Sequence, residues 1–335
     1  MTLATRDKLT AVSAFVAGDF SALAAAFAAA GCQVDEPAPG TLQLQRGASG
    51  PNVLLSVGIH GDETAPIELV AQLLAELALT PQELGVNLLL VVGNIDAIRQ
   101  SRRFIDADLN RLFRPDRGAL AATAEAARAD AIMAATTAFF DSAAGACWHL
   151  DLHTAIRASV YPTFAILPAS IAAAQQRALT SLLGHAGIAA VIINPTSAGT
   201  FSAFTAEQCG ATSSTVELGR VSALGANDVS VFAAASRTLS ALLRGDVLVH
   251  PAMPAPLVFE VVQEIIKHSE AFRMHFDGAT QNFTAMQRGD VIATDGEVVY
   301  RVGHDEELVV FPNPSVRIGL RAGLMVVRSP DLPES

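Results

Sequence analysis

From about residue 53 onward the chain alternates two textures. Short, mostly apolar runs such as "NVLLSVGI" (52–59) and "VNLLLVVGNI" (86–95) have the length and composition of strands buried on both faces. Between them, "APIELVAQLLAELA" (65–78) repeats apolar residues at helical spacing, with Ile67, Val70, Leu74 and Leu77 on one stripe. Pro66 falls in the first turn of that helix, where its missing N–H costs little. A polar loop over roughly 99–118 precedes an alanine-rich helix over about 119–142. The apolar runs "CWHLDLHT", "TFAILP", "AAVIINP" and "SSTVELG" follow, with helices near 170–186 and 228–244. Apolar strands separated by helices predict an α/β fold built on a mostly parallel mixed sheet covered by helices. Residues 1–50 read as a helical segment followed by a short extended piece, "TLQLQRG".

From about residue 250 the texture changes. "LVFEVVQEIIKHSEAFRMHF" is β-branched and extended, and "GDVIATDGEVVYRV" and "GLRAGLMVVRS" are short strands punctuated by glycine turns. The proline-rich "HPAMPAP" (250–256) is the natural linker. Residues 1–249 are therefore expected to form one α/β domain and residues 250–335 a small β domain.

Apolar residues make up 51% of the 335 residues, which excludes global disorder. Alanine supplies much of that share, and no uninterrupted apolar stretch reaches the roughly 18 residues needed to span a bilayer. The N-terminus lacks the basic, apolar and cleavage segments of a signal peptide, so a cytoplasmic protein without membrane partners is expected. Twenty-two basic against thirty-three acidic side chains give a net charge of −11, which argues against nucleic-acid binding. The three cysteines, Cys32, Cys147 and Cys209, are far apart and fit neither a disulfide framework nor a thiolate metal site. A homo-oligomer is compatible with all of this.

Candidate chemistry begins at "GIHGDETAP". His60 and Glu63 stand three apart at the carboxyl end of an apolar strand, where ligands gather in parallel α/β sheets. Such a pair is either half of a metal site or an ordinary polar turn. Gly58 and Gly61 would let the chain turn sharply and approach a ligand closely. A zinc hydrolase needs a third ligand from another strand end and one open position for water. In "WHLDLHTAIR", His149, Asp151 and His153 alternate onto one side of an extended segment, and His153, at its end, is the best placed ligand. Asp151 reads as a group that orients a ligand imidazole or anchors the neighbouring turn, and His149, deeper in the strand, as a hydrogen-bonded core histidine. Glu217 in "SSTVELGR" is either a general base at a strand end or a turn or salt-bridge residue.

The loop from 99 to 118 holds Arg99, Arg102, Arg103, Arg111, Arg114 and Arg117 in an otherwise acidic protein. It is either a basic surface loop or a recognition element for a carboxylate-rich substrate, because guanidinium groups pair bidentately with carboxylates. Asn110 could meet a substrate amide, and Arg157, four residues beyond His153, a further anion.

In order along the chain, "GIHGDETAP", "DADLNRLF", "DLHTAIR" and "TVELG" resemble the succinylglutamate desuccinylase and aspartoacylase family, most closely its desuccinylase branch. The resemblance spans about residues 50–250 in motif order and the whole chain in layout. It implies a zinc carboxypeptidase-like domain, with a small C-terminal β domain capping the cleft. By matching motif, His60, Glu63 and His153 would hold one zinc ion per subunit, and Glu217 would be the general base. Arg103 would bind substrate and stabilise the oxyanion, and Asn110, Arg111 and Arg157 would bind substrate. Asp62 stands where many members have asparagine, with little effect expected.

The implied reaction is hydrolysis of N-succinyl-L-glutamate, a small anionic acyl amino acid, to succinate and L-glutamate, the last step of the arginine succinyltransferase pathway. The nearest rival is an aspartoacylase-like deacylase acting on another N-acyl acidic amino acid. A metallocarboxypeptidase acting on peptides and a non-catalytic anion-binding protein are the further alternatives.

Overall fold

The computed structural model describes residues 3–47, 50–196, 199–246, 254–277 and 279–329. Its helices are α1 (Leu3–Ala17), α2 (Ser21–Ala29), α3 (Thr64–Leu77), α4 (Ile95–Arg99), α5 (Ala124–Asp141), α6 (Ala173–His185), α7 (Phe201–Cys209) and α8 (Ala233–Arg244). The strands of the first part are β1 (Gln33–Asp35), β2 (Thr41–Gln45), β3 (Asn52–Val57), β4 (Asn87–Val92), β5 (Cys147–Ala155), β6 (Thr163–Pro168), β7 (Ala190–Asn194) and β8 (Thr212–Arg220). Those of the last part are β9 (Leu257–Ile266), β10 (Arg273–Met274), β11 (Thr284–Gln287), β12 (Val291–Asp295), β13 (Val298–Arg301), β14 (Glu306–Val310) and β15 (Arg321–Arg328).

The apolar runs become the centre of one large sheet, in the order β1-β2-β4-β3-β5-β8-β6-β7-β9-β15-β14-β11. β4, β3, β5 and β8 are parallel to one another; β6 turns antiparallel to β8, and β7 and β9 then run parallel with it. Every residue of β3 and β4 is buried, because successive side chains go to opposite faces and both faces carry helices. Leu55 and Val57 join a core with Ile67, Leu74 and Phe15 from α3 and α1. Leu54 and Leu89 join another with Ile132, Phe139 and Phe201 from α5 and α7.

Two expected helices start later than their periodicity implies. Thr123, in extended conformation, accepts the Ala126 N–H at 3.3 Å, so α5 begins at Ala124 after a 3₁₀ turn over Gly118–Ala122. Likewise a 3₁₀ turn over Val229–Phe232 precedes α8. α7 carries no apolar stripe that would announce it; Thr200 caps its start, and Gly210, left-handed at φ 63°, ends it.

The C-terminal strands are extended as expected, and four of them, β9, β15, β14 and β11, continue the main sheet edge to edge. β9 pairs in parallel with β7 through Leu257–Glu260 and antiparallel with β15 through Phe259–Ile266, so one strand belongs to both halves. β10, β12 and β13 form a separate small sheet. The boundary expected at 249/250, and residues 250–253 of the proline-rich linker, lie outside the described residues. An aromatic cluster seals the junction: Phe283 contacts Tyr161, Phe164 and Phe259 with ring centroids 4.9, 5.2 and 5.2 Å away. Among the described residues no single helix is long and apolar enough to cross a membrane.

Candidate active site

Register brings the chemistry together. Ser56 of β3 lies opposite Asp151 of β5, and His153 of β5 lies opposite Glu217 of β8. The carboxyl ends of three adjacent parallel strands therefore open on one cavity of about 570 Å³. The turn after β3 passes so close to α4 that a Cβ on Gly61 would lie 2.3 Å from Ala97 C and Ile98 N, and Gly58 adopts φ 64°. Only glycine fits at both. That turn swings His60 and Glu63 into the cavity instead of out to solvent.

Glu63 occupies the N-cap position of α3 without capping it. Its carboxylate joins four groups instead. Oε1 meets His60 Nδ1 at 2.8 Å and Arg103 NH1 at 2.7 Å. Oε2 meets His153 Nδ1 at 2.8 Å and accepts the Thr154 N–H at 3.0 Å. The outer nitrogens of both imidazoles are held by further carboxylates. His60 Nε2 faces Asp108 Oδ1 at 2.9 Å, and His153 Nε2 faces Asp151 Oδ2 at 2.9 Å. A carboxylate beside Nε2 can hold a proton there, which would free Nδ1 to ligate a cation in place of its hydrogen bond to Glu63; Arg103 NH2 also approaches His60 Nε2, at 3.1 Å. The donor atoms of His60, Glu63 and His153 all lie within 4.8 Å of one another, and all three residues are buried. Two imidazoles and one carboxylate, each imidazole backed by an acid, fit the donor chemistry of zinc.

The charges are strongly coupled. Burial works against ionised Glu63, but His60 and His153 outweigh it and hold the carboxyl well below its usual range. Burial likewise works against charge on His153, yet Asp151 and Glu63 push its pKa well above that of an ordinary imidazole. Asp108 is held low against burial by His60 and then Arg111.

Glu217 is different. It is 6% exposed and forms no ion pair among the described residues, and its Oε2 has no hydrogen-bond partner. Burial, then repulsion from Glu63, raises its pKa to about 7. This is neither a surface turn nor a salt-bridged acid, the two bland readings of its sequence. A buried, unsatisfied carboxylate is costly, and such groups concentrate where chemistry needs them. Asp62 is also raised, chiefly by burial, and its Oδ1 is unpartnered too.

Of the six arginines between 99 and 118, only Arg103 and Arg111 line the cavity. Arg99 bonds the carbonyl of Ala17, and Arg117 bonds those of Leu112 and Ala126 and pairs with Asp130, so these two brace the fold. The carboxylate-recognition reading of the whole loop therefore narrows to two residues. Arg157 lines the cavity too. Asn110 also reaches it, but its Oδ1 accepts the Phe201 N–H at 2.9 Å, tying its turn to α7. Asp108, which orients His60, was not singled out in the sequence; its only signal is an acid within a basic loop. Arg317 and Arg321 in the last part of the chain also line the cavity, and nothing in their local sequence marks them.

His149 is the core histidine its position suggests. Fully buried, it bridges Ser56 Oγ (2.8 Å from Nε2) and Thr205 Oγ1 (2.8 Å from Nδ1), and burial lowers its pKa to about 4. Ser56 in turn donates to Asp151 Oδ1 at 2.5 Å. Replacing His149 by alanine is expected to lower stability by roughly 2–5 kcal/mol, the range for large buried side chains cut to alanine. Urea unfolding measures this, and metal content at saturation should be unchanged. Loss of metal without loss of stability would make His149 a ligand.

Residues 49–243 match the model of the succinylglutamate desuccinylase/aspartoacylase catalytic domain, and residues 254–329 match that of the AstE/AspA barrel-sandwich hybrid domain. A protein named succinylglutamate desuccinylase from Burkholderia orbicola (strain MC0-3) is 46% identical over 282 residues, covering 84% of this chain and 82% of its own. Among solved structures, the protein of that name from Vibrio parahaemolyticus superposes with a TM-score of 0.81 at 32% identity, covering 89% of this chain and 88% of its own. The one from Chromobacterium violaceum gives 0.76 at 33%, covering 90% and 93%.

Proposed function

The chain belongs to the succinylglutamate desuccinylase/aspartoacylase family, and on that premise we propose that it hydrolyses N-succinyl-L-glutamate to succinate and L-glutamate, with one zinc ion per subunit held by His60, Glu63 and His153. One observation carries this reading: the buried two-histidine, one-glutamate donor set and the unpaired carboxylate of Glu217 share a cavity walled by Arg103, Arg111 and Arg157. The substrate bears three carboxylates, the groups that guanidinium side chains hold bidentately. The names of the relatives support the same substrate. The place of the reaction as the last step of the arginine succinyltransferase pathway belongs to the same proposal.

When bound, zinc would supply Lewis acidity and lower the pKa of water at the site. The protein's own groups do the rest. Glu217 takes a proton from the attacking water and later delivers it to the departing glutamate nitrogen; a pKa near neutrality suits both transfers. Arg103, fixed by Glu63 and 28% exposed in its side chain, stabilises charge developing on the amide oxygen. Arg111, Arg157 and Asn110 bind and orient the substrate. With the ion bound, Asp108 and Asp151 would hold the two imidazoles in the tautomer that presents Nδ1.

The test is glutamate or aspartate release by zinc-loaded protein from N-succinyl-L-glutamate, N-acetyl-L-glutamate and N-acetyl-L-aspartate, with a chelated control. Chelator-sensitive turnover favouring the succinyl compound is expected. Preference for an acetyl compound would move the substrate to another acylated acidic amino acid, and no turnover on any would remove the assignment.

Metal binding should also be linked to protons. His153 has a raised pKa, so its proton competes with the metal up to a higher pH than an ordinary histidine would allow. Zinc affinity is expected to fall on acidification, by about tenfold per pH unit for each proton released. Calorimetry in buffers of different ionisation enthalpy reads that proton count directly. Binding without proton release would contradict the ligand set.

A further inference from the structure

We propose that Arg321, carried on the C-terminal part of the chain, reads the side-chain carboxylate of the departing amino acid. The proposal rests on the hydrolase reading above and adds a specificity residue that no motif in the first 250 residues contains.

Arg321 opens β15 opposite Ile266 of β9, and its side chain lines the same cavity as His60, Glu217 and Arg111. Its partner is Glu264, whose Oε1 lies 3.2 Å from NH1. That oxygen also accepts the Thr196 hydroxyl at 2.7 Å, and Thr196 is itself bonded to Asn194. Glu264 is thus shared and fixed from the other side. It aims the guanidinium without saturating it: among the described residues, one of five N–H groups is paired.

The charge around Arg321 is out of balance. Burial disfavours its cation, and Arg111, approaching from the 109–111 turn, disfavours it further; Glu264 offsets this only in part. Two guanidinium groups that repel each other in a buried cavity, one beside Glu264, which Thr196 shares, and the other facing Asp108, which His60 shares, make a site for an anion.

The order of groups indicates which anion. Asp108 touches His60 at 2.9 Å, and Arg111 follows it in the same turn, bonded by its N–H to the Asp108 carbonyl at 3.0 Å. The charged groups that act on Arg321 are Arg111 and Glu264, while Arg111 acts in turn on Asp108, so along that path Arg321 stands beyond Arg111, on the wall formed by β15. In N-succinyl-L-glutamate the succinyl carboxylate carbon is three bonds from the scissile carbonyl carbon, and the glutamate side-chain carboxylate carbon is five bonds away, roughly 6 Å when extended. The far guanidinium suits the far carboxylate.

The experiment compares wild type, R321M and R321K on three substrates: N-succinyl-L-glutamate, N-succinyl-L-glutamine and N-butyryl-L-glutamate. The glutamine compound removes the side-chain charge at constant shape, and the butyryl compound removes the succinyl charge. Wild type should prefer the glutamate over the glutamine compound in kcat/KM by roughly 100-fold, carried mainly by KM. R321M should abolish that preference and keep the preference over the butyryl compound. R321K retains the charge but not the planar fork, so it should keep part of the preference; this variant also serves if R321M does not fold. Undiminished discrimination against glutamine in either variant, or loss of discrimination against butyryl instead, overturns the proposal.

Calorimetric binding of L-glutamate and L-glutamine to the zinc-loaded protein separates this from failure of the hydrolase reading. Tighter glutamate binding that depends on Arg321 supports the subsite even without turnover. An equal preference in wild type and R321M, or no preference in wild type, rejects it.

Discussion

Glu217→Gln is expected to retain zinc and to lower kcat by roughly 10²–10⁴-fold, the usual contribution of a positioned general base. The replacement keeps the shape of the side chain and removes its capacity to take a proton. Glu217 lies outside the donor set formed by His60, Glu63 and His153, and its Oε2 makes no hydrogen bond, so little else should change. Wild-type kcat/KM should fall on the acid side, because the protonated carboxyl cannot accept from water. With the pKa raised to about 7 by burial, that limb lies near neutrality, and a bound cation draws it lower. The glutamine variant should lack the limb. Turnover close to wild type, or an unchanged acid limb, would remove Glu217 from the chemistry.

The same substitution has a stability signature. A carboxyl whose folded pKa is raised favours the folded state below its unfolded pKa and loses that contribution as pH rises through the folded value. In chelated protein, wild-type stability should therefore decline between about pH 4.5 and 7. Glu217→Gln should lack that decline and be the more stable protein at neutral pH, by roughly 2–3 kcal/mol in urea unfolding.

Much of the scaffold was legible because burial and periodicity are local signals. The mostly apolar runs became β3 and β4, the stripe of Ile67, Val70, Leu74 and Leu77 became α3, and the alternation His149, Asp151, His153 put three polar groups on one side of β5. Strand-end position then pointed to His60, Glu63 and His153, which the fold brings within 4.8 Å. The least legible parts depend on distant chain. α7 has no apolar stripe, yet Phe201 stacks on Phe113 and its N–H fixes Asn110. The arginine-rich loop looked uniform, but a 3₁₀ turn over Leu109–Arg111 and contacts with α1 and α5 decide which guanidinium groups face the cavity. Arg321 enters the cavity only because β9 continues the sheet past β7 and pairs with β15, a register that no short window of sequence encodes.

Glu63→Gln should do the opposite of Glu217→Gln in almost every respect. The Glu63 carboxylate joins both Nδ1 atoms, the Arg103 guanidinium and the Thr154 N–H. A neutral amide offers one acceptor oxygen and forces an NH₂ against groups that were meeting negative charge. Zinc retained after dialysis should drop from about one ion per chain to a small fraction, and turnover by about 10³-fold or more, with partial recovery in excess zinc. Glu63→Asp, which keeps the charge on a shorter arm, should fall between. Stoichiometric zinc and near-normal turnover in Glu63→Gln would exclude Glu63 as a ligand. Stability of the chelated protein tests the electrostatics independently. Glu63 is held well below its usual pKa, so its contribution exists above the unfolded value and is lost as pH falls toward the folded one. Its removal strands buried cationic partners and should destabilise at neutral pH by roughly 3–5 kcal/mol, a loss that shrinks on acidification. Two identical Glu→Gln replacements in one cavity are thus expected to move the neutral-pH unfolding midpoint in opposite directions. One carboxylate sits among cations that need it, and the other is buried without a partner.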